Sequence, residues 1–278
     1  MKNKIITVKD LRKSYGDFEA VKGISFDVYE GEIFGLLGPN GAGKSTTLEI
    51  IETLRVKTSG EVTVNGFDLD KDPDSIKKII GVQLQTSGFY PLLNLTELIE
   101  MFGGLYNQPV NPIELLRLVN LTSTIEEENK LKDPSVSKDE KKKIQDRNKS
   151  KAKYKSLSGG QKQRFSIATT LINKPSIIFL DEPTTGLDPQ ARRNLWDLIR
   201  DIRDKGTTVI ITTHYMDEAE QLCDRIAIID EGQIIKLDSP DKMIDDLVST
   251  GFERPKQVKS ANLEDVFLHL TGHEMRHE

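Results

Sequence analysis

Residues Gly38-Pro39-Asn40-Gly41-Ala42-Gly43-Lys44-Ser45 fit the pattern G-x-x-x-x-G-K-[ST] without a mismatch. That pattern is built to hold a phosphate chain. Glycine lacks a Cβ, so backbone N–H groups can close around phosphate oxygens. Lys44 can reach the β- and γ-phosphates, and the Ser45 hydroxyl can ligate Mg²⁺. Further along, Asp181-Glu182 sets two carboxylates side by side. Asp181 is placed to hold Mg²⁺ through its water shell, and Glu182 to polarise the water that attacks the γ-phosphate. Alternation along an extended segment is expected to aim them differently. A third group, Leu157-Ser158-Gly159-Gly160-Gln161, has the S-x-x-Q spacing of a capping box and offers a second anion-reading helix start. Two such starts in one chain make sense if the second serves a neighbouring molecule's nucleotide. His214, at a strand tip, could contact the γ-phosphate and sense its presence.

These residues need rigid elements to aim them. Glu32–Leu37 reads as a strand that turns sharply through the glycines into a helix from Ser45 to Ile51. The apolar run Ser176–Leu180 reads as a buried strand that delivers Asp181 and Glu182 to its C-terminal tip, where open α/β sheets bind ligands. Thr208–Thr213 is a second buried strand, ending at His214, with a helix over Pro189–Asp204 stopped by Gly206. Tyr215–Cys223 reads as a helix. Arg225–Ile229 and Gln233–Leu237 read as a hairpin around Asp230-Glu231-Gly232. The N-terminal part is rich in short strands, at Ile5–Leu11, Gly23–Tyr29 and Glu61–Val64, whereas Leu95–Tyr106 and Pro112–Asn120 have helical spacing. Asn111, Pro112 and Glu114 supply cap, first-turn and N3 chemistry for the second of these helices. The pattern predicts a parallel α/β core with a helical insertion in its middle.

Composition fits a folded protein with a real core: 278 residues, 36% hydrophobic and 30% charged, with a net charge of −5. The negative balance argues against nucleic acid as the main partner. No apolar run approaches the roughly 18 residues that span a bilayer, and the N-terminus lacks a signal-peptide core, so a cytosolic protein is expected. If it acts at a membrane, it must dock onto another subunit. Cys223 is the only cysteine, which leaves no intrachain disulfide and reads as a small buried hydrophobe. The stretch from Leu121 to Lys155 stands apart, with Glu126-Glu127-Glu128, Lys141-Lys142-Lys143 and almost no large apolar residues. It is expected to be a solvated surface insertion, part helix and part disorder, with a docking or regulatory segment as the alternative.

Taken together, the motifs resemble those of the ATP-binding subunits of ABC transporters. Gly38–Ser45 resembles the Walker A loop, Leu157–Gln161 the LSGGQ signature, Phe179–Glu182 Walker B, Gly186-Leu187-Asp188 the D-loop and His214 the switch histidine. Tyr15 falls where the family stacks an aromatic ring on adenine. Ile80–Gln85 offers two glutamines for the Q-loop, Gln83 and Gln85, and register with the family favours Gln85. The tail Asn262–Gly272 and the stretch Thr213–Ala219 are similar to the subunits that power drug, lipid and polysaccharide exporters, whereas the charged segment 122–153 departs from that group.

The resemblance implies a P-loop NTPase with a RecA-like α/β core and an N-terminal antiparallel β-subdomain. An ATPase domain over 1–240 would carry a helical subdomain at about 87–161, followed by a helical tail over 241–278. It implies Mg²⁺ and ATP as cofactors. ATP would be held by Tyr15, Gly38, Pro39, Asn40, Gly41, Ala42, Gly43, Lys44, Ser45 and Thr46. The metal would be held by Ser45, Gln85 and Asp181, and Lys44, Gln85, Glu182 and His214 would act in catalysis. Leu157, Ser158, Gly159, Gly160 and Gln161 would reach the ATP of a second copy, and Asp188 would belong to the D-loop. The implied partners are that second ATPase subunit and a separate membrane permease, which would hold the protein on the inner face of the cell membrane. An importer ATPase and a non-transport ABC ATPase are the alternatives.

Overall fold

The computed structural model describes residues 3–83 and 88–252. Gln85 and the tail stretch Asn262–Gly272 lie outside the described residues. The chain divides into two compact units, residues 1–240 and 241–278.

The first unit begins with β1 (Lys4–Tyr15) and β2 (Phe18–Tyr29), then β3 (Ile33–Leu37) and α1 (Lys44–Ile51). β4 (Ser59–Val64), β5 (Phe67–Asp68), α2 (Pro73–Ile79) and β6 (Ile80–Gln83) follow. The helical region holds α3 (Leu95–Leu105), α4 (Pro112–Leu118), α5 (Ile125–Lys132), α6 (Lys138–Arg147) and α7 (Gly159–Thr170). The chain then alternates through β7 (Ile177–Asp181), α8 (Pro189–Asp204), β8 (Thr208–Thr213), α9 (Met216–Leu222), β9 (Arg225–Asp230) and β10 (Gln233–Asp238). In the second unit α10 (Pro240–Ser249) is the described element.

The strands form two sheets. One is antiparallel, in the order β2-β1-β4-β5. The other runs β10-β9-β3-β8-β7-β6 and is parallel throughout except for β10. All five residues of β3 are buried, as a central strand covered on both faces requires. Phe26 of β2 stacks on Phe34 of β3 with ring centroids 5.4 Å apart, joining the two sheets in one apolar core. The β9–β10 turn passes through Glu231 at φ 46° and Gly232 at φ 79°, the paired left-handed residues of a tight hairpin turn.

The charged segment is more ordered than its composition predicts. α5 opens with a full capping box between Thr124 and Glu127, and α6 with a Ser137 hydroxyl that accepts from the Glu140 N–H. Arg117 pairs with Glu128 at 2.9 Å and Lys130 with Glu140 at 3.1 Å. The ends are stitched to the body by backbone bonds. Lys149 N–H donates to the Leu121 carbonyl, and Thr96 N–H to that of Ser150. Ile144 is buried, as are Leu121 and Thr122. Capping and backbone pairing thus supply locally the order that a large apolar core supplies elsewhere.

Candidate active site

Two glycines of the loop between β3 and α1 are fixed by close approach. A Cβ on Gly38 would lie 2.1 Å from the Ile229 carbonyl oxygen. Gly43 stands at φ 100°, and a Cβ there would lie 2.5 Å from the Ala20 carbonyl oxygen. No side chain caps α1 at Gly43, so its first N–H groups remain open. Lys44 is buried and folded back over the loop, with Nζ donating to the Gly38 carbonyl at 2.9 Å and the Pro39 carbonyl at 3.0 Å. Burial pulls its pKa down, while the charges of Glu182 and Asp181 push it back up.

Both carboxylates arrive from the end of β7, which β8 separates from β3. β7 and β8 run in register with Asp181 opposite Thr212. Asp181 Oδ1 accepts from Ser45 Oγ at 3.2 Å and, closer still, from Thr212 Oγ1. Glu182 does not continue the extended backbone, contrary to the alternation expected from sequence. It turns left-handed at φ 46°, with its N–H held by the Thr212 carbonyl and hydroxyl. A non-glycine residue is uncommon in that region, and after this turn Glu182 has partners separate from those of Asp181. Glu182 Oε2 accepts from Thr185 Oγ1 at 3.3 Å. His214 Nδ1 lies 3.2 Å from Glu182 Oε1, within ion-pair range. The approach is not aligned for a hydrogen bond, and Nδ1 is buried without a hydrogen-bond partner.

Ser158 and its neighbours form a separate feature. The Ser158 hydroxyl accepts from the Gln161 N–H at 3.4 Å, and Gln161 Oε1 accepts from the Ser158 N–H at 3.0 Å, so α7 starts with a closed capping box. Leu157 is buried beneath it. Ser158, Gly160, Gly186 and Asp188 line a cleft of about 200 Å³ to which no residue of 38–46 contributes. Asp188 caps α8 by accepting from the Ala191 N–H at 2.8 Å. Tyr15 ends β1 as an exposed residue, 42% accessible.

Lys44, Ser45, Asp181, Glu182 and His214 are therefore gathered at the tips of β3, β7 and β8. The Ser158–Gln161 start faces its own cleft. The Thr212 hydroxyl, bonded to Asp181, was not singled out from sequence because it depends on which strands are neighbours. Glu52, at the end of α1, was missed as well. It is 2% exposed, its Oε1 has no hydrogen-bond partner, and burial, aided by the charges of Asp181 and Glu49, pushes its carboxyl up to about 8.

A glycine loop running from a central parallel strand into a helix, with an acid at the tip of a strand one removed bonded to the serine in the helix's first turn, defines a P-loop NTPase. The family described as "ABC transporter" matches residues 21–185, more than half of the chain, and the chain belongs to it. It is an ATP-binding cassette and an ATPase. The chain is similar to the linearmycin resistance ATP-binding protein LnrL of Bacillus subtilis (strain 168), at 37% identity over 84% of this chain and 68% of that protein. It is similar also to the Nod factor export ATP-binding protein I of Ralstonia nicotianae, at 32% identity over 98% of this chain and 95% of the relative. Among solved structures, an ATP-binding subunit of an ABC transporter superposes with TM-score 0.68 at 25% identity, covering 96% of this chain and 99% of the other. The cassette MJ0796, as a dimer in a post-hydrolysis state bound to ADP and Pi, superposes with TM-score 0.67 at 27% identity, covering 84% and 98%.

Proposed function

We propose that this chain is the ATP-hydrolysing subunit of an exporter, working as a head-to-tail pair beneath a separate membrane permease. The observation that carries this is the division of labour at the strand tips. Ser45, Thr212 and Asp181 form an oxygen cluster on one side, and Glu182 stands with His214 on the other. Ser45 and Asp181 would hold Mg²⁺. Two oxygen donors suit a hard ion that keeps most of its shell for phosphate and water, and among the described residues no group of three acids, histidines or cysteines offers a full protein cage. When bound, the metal neutralises phosphate charge.

Lys44 would leave the Gly38 and Pro39 carbonyls for the β- and γ-phosphates, which compensate better for its buried charge. The open N–H groups of α1 would take the remaining phosphate oxygens. Glu182 accepts the proton of the attacking water, and His214, set beside it, holds the γ-phosphate. Gln85 belongs to the same group by family register. Tyr15 stacks on adenine. Ser158–Gln161 reaches the γ-phosphate bound by the second copy. The named relatives in export and resistance favour export over import. The protein would sit on the inner face of the membrane through the permease, since among the described residues no helix is long and apolar enough to cross it. Tyr90 and Leu92, ahead of α3, and Leu105 at its end are exposed apolar residues that the permease would cover.

The test is phosphate release by the complex with its co-purifying membrane subunit. Glu182→Gln should slow turnover about 10²–10⁴-fold while Mg-ATP still binds. Turnover within tenfold of the parent would remove Glu182 as the base.

A further inference from the structure

Two cations lie over the Tyr15 ring, Lys13 Nζ at 4.9 Å and Arg55 Cζ at 5.5 Å from its centroid. They are held very differently. Arg55 Nε donates to Glu49 Oε2 at 2.5 Å, and the Arg55 backbone N–H donates to the Glu49 carbonyl at 3.0 Å. Lys13 has no carboxylate partner among the described residues.

The end of α1 explains why Arg55 returns over Glu49. Leu54 N–H donates to the Glu49 carbonyl at 2.8 Å, and Thr53 N–H to that of Ile50 at 3.0 Å, the two bonds of a Schellman turn. The turn needs a left-handed residue, and Thr53 takes that place at φ 65° where glycine is usual. Helix α1 therefore carries the phosphate loop at its start and, through Glu49, a fixed guanidinium at its end. A cation is drawn to the electron-rich face of an aromatic ring. A clamped one stays against the ring, and an unclamped one can move off it.

We propose that Arg55 is a positioning residue for base recognition: clamped by Glu49, it holds the Tyr15 ring in place so that the purine stacks on it where the unclamped Lys13 gives way. The base and the phosphates are then aligned by one helix. The proposal rests on Tyr15 stacking on adenine, and it adds how the ring is held.

The experiment compares the affinities of the parent, Arg55→Met, Glu49→Gln, Tyr15→Ala and the double variant Arg55→Met/Tyr15→Ala for Mg-ATP and for Mg-tripolyphosphate, which has no base. Arg55→Met and Glu49→Gln should each weaken ATP about three- to five-fold and leave tripolyphosphate unchanged. Tyr15→Ala should weaken ATP more, and adding Arg55→Met to it should change nothing further. Equal loss for ATP and tripolyphosphate would overturn the proposal, since it would mark a disturbed α1. So would additive losses in the double variant, or an unchanged ATP affinity in Arg55→Met while Tyr15→Ala binds weakly. Unchanged ATP affinity in Tyr15→Ala would overturn the base-stacking assignment along with it.

Discussion

Helix α1 begins at an uncapped glycine, Gly43 at φ 100°, whereas α7 begins at Ser158, where hydroxyl and Gln161 side chain satisfy each other's backbone. Both starts are glycine-rich and both suit an anion, yet they are in opposite states. The α1 start leaves donors open and turns its lysine onto carbonyls of its own loop, so it gains hydrogen bonds when a phosphate arrives. The α7 start is complete by itself and faces a cleft without phosphate-loop residues. Under the proposed function, the first start binds within one chain, and the second becomes a site only when another molecule brings the ligand.

The largest effect should come from putting a methyl group at each start. Gly43→Ala forces a left-handed alanine with its Cβ against the Ala20 carbonyl, so ATP affinity by calorimetry should fall roughly 10²-fold. At Gly159 a Cβ would meet only Leu187 Cδ2 at 3.8 Å, and Gly159→Ala should leave the affinity of the isolated chain intact. Similar losses at both positions would erase the contrast.

The far end of α1 should respond next. Glu52 carries its proton in the folded chain up to about pH 8, whereas the unfolded chain releases it near 4.5. The folded state then binds more protons across that window, so stability falls as pH rises from 4.5 to 8. Glu52→Gln should flatten the slope of melting temperature against pH in that range. An unchanged slope would show that Glu52 ionises normally.

A smaller effect is expected at the capped start. Ser158→Ala removes one half of the box and should cost about 1 kcal/mol of stability in denaturant unfolding, with ATP affinity of the single chain unaltered. The smallest concerns the charged hairpin. Its ends are already joined by the Lys149-to-Leu121 hydrogen bond, so a short Gly/Ser linker in place of residues 124–147 should change the hydrolysis rate of the soluble protein less than about twofold. A collapse of hydrolysis with the fold intact would give the hairpin a part in the site.

Contiguous chemistry was legible in the sequence. Gly38–Ser45, Asp181-Glu182 and Ser158–Gln161 are each local, and the strands and helices that carry them follow from short apolar runs and capping residues. What depends on neighbours in space was not. The Thr212 hydroxyl on Asp181 requires β8 to lie beside β7, and nothing in Thr208–Thr213 announces it. The left-handed turn at Glu182 defied the expected alternation because Thr212 holds its backbone from the adjacent strand. The segment 121–155 is more ordered than its composition suggests for a related reason: apolar content measures core burial, while its order comes from caps and backbone pairing.

The two helix starts of different copies are expected to close on one ATP. Glu182→Gln keeps the side-chain shape and removes the base, so ATP should bind and remain. Light scattering of this variant at micromolar concentration, with the permease present, should show two copies joined when Mg-ATP is added and not with Mg-ADP, and Ser158→Arg added to it should abolish the joining while single-chain ATP binding persists. Copies that stay apart with ATP bound, or that join equally well with Ser158→Arg, would contradict it.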